Sequence, residues 1–272
     1  MEGLRDVRWW PVDAAAVAVV GAAGVVVGSH GPQEQTFPLA SVTKLLSAYA
    51  VLLAVQEGAL DWNQPAGPPG ATVRHLLAHA SGLAFDTQRV SAAPGTKRIY
   101  SNTGFVVLAD AVASSCGIDF ADYLVEGVFQ PLGMSSTRLA GSAAAGAVST
   151  CADLARFAAE LQEPTLLAPQ ILAEATQVAY PGLDGVLPGL GMQRPNDWGL
   201  GFELRDHKSP HWTGSRNSPA TFGHFGSSGT FLWVDPVAGA AAIALTNRDF
   251  GPWARETWPP FSDTVLAHLP TP

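Results

Sequence analysis

The sequence has little cysteine and little positive charge. Its 272 residues include two cysteines, Cys116 and Cys151, which lie far apart and outside any C-x-x-C pattern. This argues against a disulfide scaffold and against a cysteine-based zinc site. Lysine and arginine number 15 against 23 acidic residues, the formal net charge is -8, and no run of like charge occurs. We therefore expect no binding to nucleic acid or to a membrane, and small-molecule or peptide chemistry is favoured.

The apolar stretch from Ala14 to Val27 is too short to span a membrane as a helix. It is interrupted by Gly21 and Gly24, and the residues before it carry acidic as well as basic side chains, unlike the start of a secretory signal. We interpret the stretch as a β-hairpin that belongs to the mature protein. This interpretation favours a cytoplasmic location.

Several catalytic signatures are missing. His75 and His79 have the i,i+4 spacing of some zinc ligands, but no glutamate accompanies them as in H-E-x-x-H. The chain has no G-x-S-x-G stretch, which argues against an α/β-hydrolase triad. Its glycine-rich pieces lack the spacing of phosphate- and dinucleotide-binding loops. We therefore expect neither a metal nor a cofactor.

The hydrophobic pattern predicts strands near both ends of the chain and helices between them. We expect helices over 41–57, 72–83 and 104–124, and a further helix that opens with Thr150 and Asp153 in capping-box spacing. Residues 180–223 have little periodicity and should be mostly loop, with one strand at WGLGFEL. The runs GTFLWVDP and GAAAIALTNR are strand-like, and FSDTVLAHL predicts a short terminal helix.

This order of elements predicts an α+β fold, in which one antiparallel sheet is built from both chain ends and a helical lobe is inserted. We expect a single domain over 1–272. Its α/β part would comprise 1–60 and 195–272, and its mostly helical part would comprise 61–194. The sequence does not predict the oligomeric state.

The segment FPLASVTKLL places Ser41 and Lys44 three residues apart at the start of a predicted helix. Both side chains would lie on one helical face. A serine hydroxyl needs a base to become a good nucleophile, and a buried lysine with a lowered pKa can supply it. The backbone N–H of Ser41, in the first turn, would be free to stabilise an oxyanion. Alternatively, Ser41 only caps the helix and Lys44 is solvated, and the pair alone does not decide between these readings.

Two further triplets follow. RIYSNTGF contains the only Y-x-N in the chain, and FGHFGSSGT contains the only H-x-G, directly before a predicted strand. The order S-x-x-K, Y-x-N, H-x-G resembles the serine β-lactamase and penicillin-binding protein superfamily, and within it looks closest to class C β-lactamases and family VIII esterases. The segments LLAHASGL, GAVSTCADLARFA and WVDPVAGAAAIALTNR extend the resemblance over most of the chain.

The resemblance implies a β-lactamase/transpeptidase-like fold and a serine hydrolase that forms an acyl-enzyme. Ser41 matches the nucleophile, and Lys44 matches its proton acceptor. Tyr100 matches the phenol that serves as acid to the leaving group and as base to the deacylating water. Asn102 would orient Lys44, and the backbone N–H groups of Ser41 and Ser227 would form the oxyanion hole. The substrate-binding residues implied in this way are Asn102, His224, Gly226 and Ser227.

The third motif departs from the family pattern. Where β-lactamases and peptidases usually carry the lysine of K-T-G, this chain has His224, a weaker and titratable cation near neutrality. Phe225 adds apolar surface in place of a hydroxyl. Both changes favour an esterase-like enzyme for small neutral esters or amides. A β-lactamase or D,D-carboxypeptidase, a transacylase, and a penicillin-binding-like sensor without turnover remain open, so the small-molecule substrate is an ester, an amide or a lactam.

The functions of two side-chain types stay open at this point. His224 could contact substrate or be a hydrogen-bonded structural histidine, and we favour the contact. Five of the eight tryptophans lie in the C-terminal part of the chain. We expect Trp198 and Trp212 to line a substrate pocket and Trp233 and Trp253 to belong to the core.

Overall fold

The computed structural model describes residues 2–269. In chain order its strands and α-helices are β1 (Ala15–Val20), β2 (Val26–His30), β3 (Phe37–Pro38), α1 (Thr43–Gln56), α2 (Val73–Leu77), α3 (Asn102–Cys116), α4 (Phe120–Leu124), β4 (Arg138–Leu139), β5 (Ala147–Ser149), α5 (Cys151–Gln162), α6 (Pro169–Ala175), β6 (Gly185–Leu187), β7 (Gly191–Gln193), β8 (Glu203–Leu204), β9 (Phe222–Gly226), β10 (Thr230–Asp235), β11 (Ala240–Thr246) and α7 (Pro252–Ala267). Over these residues, no single helix combines the length and the apolar character needed to cross a membrane.

The main sheet joins the two ends of the chain. It has six strands in the order β2-β1-β11-β10-β9-β8, and each neighbouring pair is antiparallel. Strands β1 and β11, one from each end of the chain, pair from Ala15 opposite Thr246 to Val20 opposite Ala241. The predicted α+β architecture, with one antiparallel sheet formed by both ends and helices between them, is therefore confirmed.

Strand β1 is apolar along its whole length because both faces of the sheet are covered. Ala16, Ala18 and Val20 belong to the core that contains α1 and α5. Val17 and Val19 belong to a second core on the opposite face, together with residues of α7 and of the N-terminal 3₁₀ helix Glu2–Trp9. The strand pairs with β2 around Gly21 and Gly24, which confirms the hairpin predicted from this stretch.

Helix α1 is the central helix of the larger core. It is covered on nearly all sides, and 12 of its 14 residues are buried. The α-helix begins at Thr43 and not at Ser41 as predicted, because Ala40 has a left-handed φ of 44° and residues Ala40–Val42 form a 3₁₀ turn. Ser41 therefore lies in a tight turn on a rigid, fully packed support.

Several predicted boundaries were wrong for local reasons. The helix that starts after the Thr72 cap ends at Leu77 and not at 83, because His79 adopts a left-handed φ of 54°. The predicted helix 104–124 is two helices, α3 and α4, separated at Gly117, whose φ is 74°. Segment 180–223 is mostly loop and has strand β8 at the end of WGLGFEL, as predicted, but it also contains the short hairpin β6–β7, which was not predicted. Helix α7 begins nine residues before FSDTVLAHL, at Pro252.

Candidate active site

Three pieces of the fold bring the predicted site residues together. Ser41 and Lys44 come from the 3₁₀ turn and from the first turn of α1, and Tyr100 and Asn102 come from the start of α3. The α3 start is held by Ser101, whose hydroxyl accepts the N–H of Gly104 at 3.0 Å. The end of β9 and the turn that follows it are the third piece and supply His224 and Ser227. A cavity of about 240 Å³ is lined by residues of all three, among them Ser41, Tyr100, Asn102, His224 and Ser227.

Lys44 is fully buried behind Ser41 and Asn102, two of the residues that line this cavity. Its Nζ lies 2.6 Å from Asn102 Oδ1, 2.8 Å from the carbonyl oxygen of Ala144 and 3.3 Å from Ser41 Oγ. Burial lowers the pKa of Lys44 from 10.5 to about 7, and the Asp86 carboxylate only partly opposes this shift. A neutral amine at this position donates its two N–H groups to Asn102 and Ala144, so its lone pair is left to accept the proton of Ser41.

Tyr100 is a protonated phenol in this environment. Desolvation raises its pKa above the ordinary value, and the neighbouring Ser41 hydroxyl opposes the shift only in part. The phenol oxygen lies 3.3 Å from His224 Nε2, and the Lys44 amine lies 4.7 Å from the centre of the Tyr100 ring. In the free protein at neutral pH, Lys44 is therefore suited to accept a proton and Tyr100 to donate one.

His224 is neutral, which corrects the expectation of a titratable cation near neutrality. Its Nδ1 lies 2.6 Å from the carbonyl oxygen of Phe225, which can only accept, so Nδ1 carries the proton and Nε2 accepts from Tyr100. Burial, reinforced by the nearby Lys44 ammonium, lowers the pKa of His224 to about 3. The imidazole lines the cavity as an uncharged group that is hydrogen-bonded on both nitrogens.

The end of β9 is fastened to the segment that precedes the nucleophile. Thr230 Oγ1 donates to the carbonyl of Leu39 at 2.8 Å, and Ser228 Oγ donates to the carbonyl of Pro38 at 2.7 Å. A Cβ on Gly226 would lie 2.3 Å from the Leu39 oxygen, so only glycine permits this approach. Among the described residues, none accepts a hydrogen bond from the backbone N–H of Ser41 or of Ser227. Both N–H groups remain available for an oxyanion.

His79 is a site residue whose position the sequence reasoning missed. Its carbonyl accepts the N–H of Ile99 at 2.9 Å, and its Nδ1 accepts the N–H of Ser101 at 3.1 Å. It therefore holds the chain on both sides of Tyr100, and its ring centre lies 4.6 Å from that of the phenol. The segment LLAHASGL was the available signal. The i,i+4 partner His75 bonds instead to Thr72 Oγ1 and stacks on Tyr180.

The two tryptophans expected to line a pocket have different positions. Trp198 lines the cavity and packs within 6 Å of the rings of Tyr100 and His224. Trp212 lies in the core on the α7 side of the sheet, so the prediction for it was wrong. Trp233 and Trp253 are core residues as predicted.

Trp212 is held there by a buried charged group that the sequence did not reveal. Its Nε1 donates to Glu203 Oε2 at 2.8 Å, and Glu203 also pairs with Lys208 and with His211. Burial acts to raise the pKa of Glu203, but His211 and Lys208 outweigh it and lower the pKa to about 2. Glu203 borders the cavity as a paired carboxylate, so it is not available as a proton acceptor.

Comparisons with known proteins agree on one family. The Beta-lactamase family model matches residues 12–263. The crystal structure of a beta-lactamase from Mycobacterium bovis is 57% identical, with a TM-score of 0.96 over 97% of this chain and 98% of that chain. The structure of EstCE1, described as a hydrolase with promiscuous acyltransferase activity, shares the fold at 18% identity, with a TM-score of 0.77 over 96% of this chain and 96% of that one.

A curated relative supports the same assignment over a shorter stretch. A penicillin-binding protein of Bacillus subtilis is 29% identical over an aligned length of 136, and the match covers 38% of this chain and 30% of that relative. The match therefore spans less than a third of the relative's length. With nearly its whole length matched by the family model and by the Mycobacterium bovis structure, the chain belongs to the beta-lactamase family and has its fold.

Proposed function

We propose that the protein is a serine hydrolase that acts through an acyl-enzyme on small neutral esters or amides. The observation that carries this proposal is the buried Lys44 amine. Its pKa is lowered to about 7, and it lies 3.3 Å from the Ser41 hydroxyl. A general base is most effective when its pKa is close to the working pH. The reading of Lys44 as a solvated surface lysine does not fit its complete burial.

Acylation uses the groups around Ser41 in a fixed order. Ser41 Oγ attacks the carbonyl carbon and passes its proton to Lys44 Nζ. The resulting oxyanion accepts hydrogen bonds from the N–H groups of Ser41 and Ser227. The bond to the leaving group then breaks, and Tyr100 gives its proton to the departing oxygen or nitrogen. The acyl-enzyme then holds Lys44 as an ammonium and Tyr100 as a phenolate, with the Lys44 nitrogen 4.7 Å from the centre of the Tyr100 ring.

Deacylation repeats these roles with water as the nucleophile. A water molecule takes the place of the leaving group beside Tyr100 and gives a proton to the Tyr100 phenolate as it attacks the acyl carbonyl. The ester bond to Ser41 breaks, and Ser41 Oγ is reprotonated from Lys44. An alcohol in place of water would give acyl transfer in the same geometry.

The charge of the cavity supports a neutral substrate. Its lining includes Trp198, Phe85 and Phe250 as well as the neutral His224, but within the described part of the chain no arginine or lysine side chain lines it. A substrate carboxylate would therefore find no cationic partner at His224, where the family usually has a lysine.

The test is hydrolysis of a p-nitrophenyl short-chain ester, combined with intact-mass analysis. We expect wild-type turnover, a transient adduct of one acyl group on Ser41, and loss of both in Ser41→Ala. Ser135→Ala, at an exposed position, is the matched control and should keep wild-type activity. Hydrolysis that persists in Ser41→Ala would refute the proposal. A stable adduct without turnover would instead indicate a ligand sensor.

Beta-lactamase activity is the second candidate. It is favoured by the identity of 57% to the protein from Mycobacterium bovis that is described as a beta-lactamase. A chromogenic cephalosporin measured beside the ester distinguishes the two. If kcat/KM for the cephalosporin equals or exceeds that for the ester, the lactam is the preferred substrate class and the neutral-ester proposal is wrong.

A further inference from the structure

A second cavity opens beside the catalytic one and is larger. It has a volume of about 650 Å³, and its lining includes the apolar side chains of Phe85, Ile99, Tyr100, Val186, Pro188 and Met192. Four charged residues, Lys97, Arg98, Asp184 and Arg194, also border it. Phe85, Tyr100 and Pro188 line both cavities, so the two adjoin at these residues. We call the larger one the hairpin cleft, because β6 and β7 form its outer wall. Its volume falls within the range of pockets that hold small organic ligands.

The hairpin cleft presents apolar surface that no described residue covers. Val186 and Met192 are directly opposite each other across β6 and β7, and each is 52% exposed. Phe85, on the facing side, is 50% exposed. Clustered exposed apolar groups beside a reactive centre are typical of a ligand-binding surface.

The hairpin is docked on the segment that carries Tyr100. The N–H of Arg98 donates to the carbonyl of Asp184 at 3.0 Å, and a Cβ on Gly185 would lie 2.2 Å from the Arg98 carbonyl oxygen. Arg98 itself is buried, and its guanidinium donates to the backbone carbonyls of Ala179 and Asn196. The wall of the cleft and the proton donor are therefore parts of one packed unit.

The position of Tyr100 decides which part of a substrate would occupy the hairpin cleft. The leaving-group atom must lie beside Tyr100 to receive its proton, and Tyr100 borders the hairpin cleft. On the opposite side, past Asn102 and Ala145, lies a different cavity of about 320 Å³ with the polar groups Asp86, Thr87 and Ser142 in its lining. The acyl part of a substrate would extend toward that side.

We propose that the preferred substrates are esters or amides with a large apolar leaving group, which occupies the hairpin cleft, and with a small acyl group. This inference rests on the proposed acyl-enzyme function. Ser41 Oγ forms a bond to the acyl carbon, the carbon–oxygen bond of the ester breaks, and the apolar alcohol leaves from the cleft with the proton of Tyr100. Water then releases the acid from the acyl-enzyme after the alcohol has departed.

The test compares two isomeric esters that place the same chain on opposite sides of the ester bond. Hydrolysis of hexyl acetate and of ethyl hexanoate is followed by acid release at constant pH. We expect kcat/KM to be higher for hexyl acetate by at least about tenfold, which is the effect that a single methylene group can have in an apolar pocket. Higher kcat/KM for ethyl hexanoate, or equal values, would overturn the inference.

Variants of the cleft wall connect this preference to the hairpin. We expect Val186→Ser combined with Met192→Ser to reduce the ratio of the two kcat/KM values to near unity. Val237→Ser is the matched control, because Val237 is 76% exposed in the turn between β10 and β11, outside both cavities. A ratio that stays at the wild-type value in the double variant would contradict the assignment of the cleft.

A binding experiment separates failure of this inference from failure of the proposed function. If no ester is hydrolysed in a Ser41-dependent way, the proposed function is wrong. Calorimetric binding of hexanol to Ser41→Ala still tests the cleft. We expect binding that weakens about tenfold when Val186→Ser and Met192→Ser are added, and unchanged or undetectable binding in both backgrounds would refute occupation of the cleft by an apolar alcohol.

Discussion

Replacing Lys44 by methionine should change how the stability of the protein depends on pH. Methionine is unbranched and similar in length, and it removes only the amine. Burial lowers the pKa of Lys44 from 10.5 to about 7, and a shift of this size corresponds to about 5 kcal/mol of unfavourable free energy when the ammonium is buried below pH 7. The wild-type protein carries this cost, and the variant does not.

The sign follows from proton binding in the two states. Between pH 7 and 10.5, the range set by the folded and ordinary pKa values, the unfolded chain holds a proton on Lys44 that the folded protein has released. Stability contributed by this group therefore rises with pH across that range. Relative to Lys44→Met, the wild-type protein should gain about 3 kcal/mol in free energy of unfolding between about pH 6 and about pH 9.

The measurement is urea unfolding of both proteins across this pH range. The variant also leaves Asn102 Oδ1 and the Ala144 carbonyl without the amine as donor, but that cost does not depend on pH, so the difference between the two curves isolates the titration. Lys97→Met, at an exposed lysine, is the control and should give a curve parallel to that of the wild-type protein. Parallel curves for Lys44→Met would mean that Lys44 keeps its proton in the folded protein, and the assignment of Lys44 as the base would fail.

Three further predictions concern catalysis. For a neutral ester, kcat/KM should rise with pH through about 7, where Lys44 loses its proton. His224, whose pKa is about 3, should add no second step between about pH 5 and 9. A second step that disappears in His224→Gln would contradict this prediction. Gly226→Ala should lower kcat about a hundredfold, because its Cβ would press on the carbonyl of Leu39 and displace the Ser227 amide. An increase in KM with unchanged kcat would be evidence against the Ser227 N–H as an oxyanion donor. His79→Asn should retain more kcat/KM than His79→Leu, since asparagine tolerates the left-handed φ of 54° and offers an oxygen to the N–H of Ser101. Equal melting temperatures with unequal activity would establish that His79 positions Tyr100. Equal activity of the two variants would mean that His79 only fills space.

The sheet and the order of the motifs could be predicted because they depend on local patterns. The apolar runs of β1 and β11 are continuous since both faces of the sheet are covered, and a continuous apolar run is readable in the sequence. The pair Ser41 and Lys44 was recognisable because a helix places residues three apart on one face. The 3₁₀ turn preserves this proximity, so the incorrect helix start at Ser41 did not affect the predicted contact.

The protonation states could not be predicted, because they depend on burial produced by distant parts of the chain. His224 was expected to be a titratable cation from its type alone. In the structure, Trp198 packs on its ring at a centre-to-centre distance of 5.5 Å and the Phe225 carbonyl fixes its tautomer. The hairpin β6–β7 was also missed, since strands of three residues between glycines and prolines leave no periodic signal.

The protonation state of Lys44 depends on the charge of the bound substrate. The amine is surrounded by neutral groups, namely the Asn102 amide, the Ala144 carbonyl and the Ser41 hydroxyl, and its pKa is lowered by burial and not by a second cation. An opposite charge brought close to a buried ammonium stabilises it and raises its pKa, as Asp86 already does in part. A bound carboxylate would therefore keep Lys44 protonated and withdraw the base from Ser41, whereas a neutral ester leaves the pKa near 7. In this site, a lysine at position 224 would offset that effect, and the neutral His224 cannot.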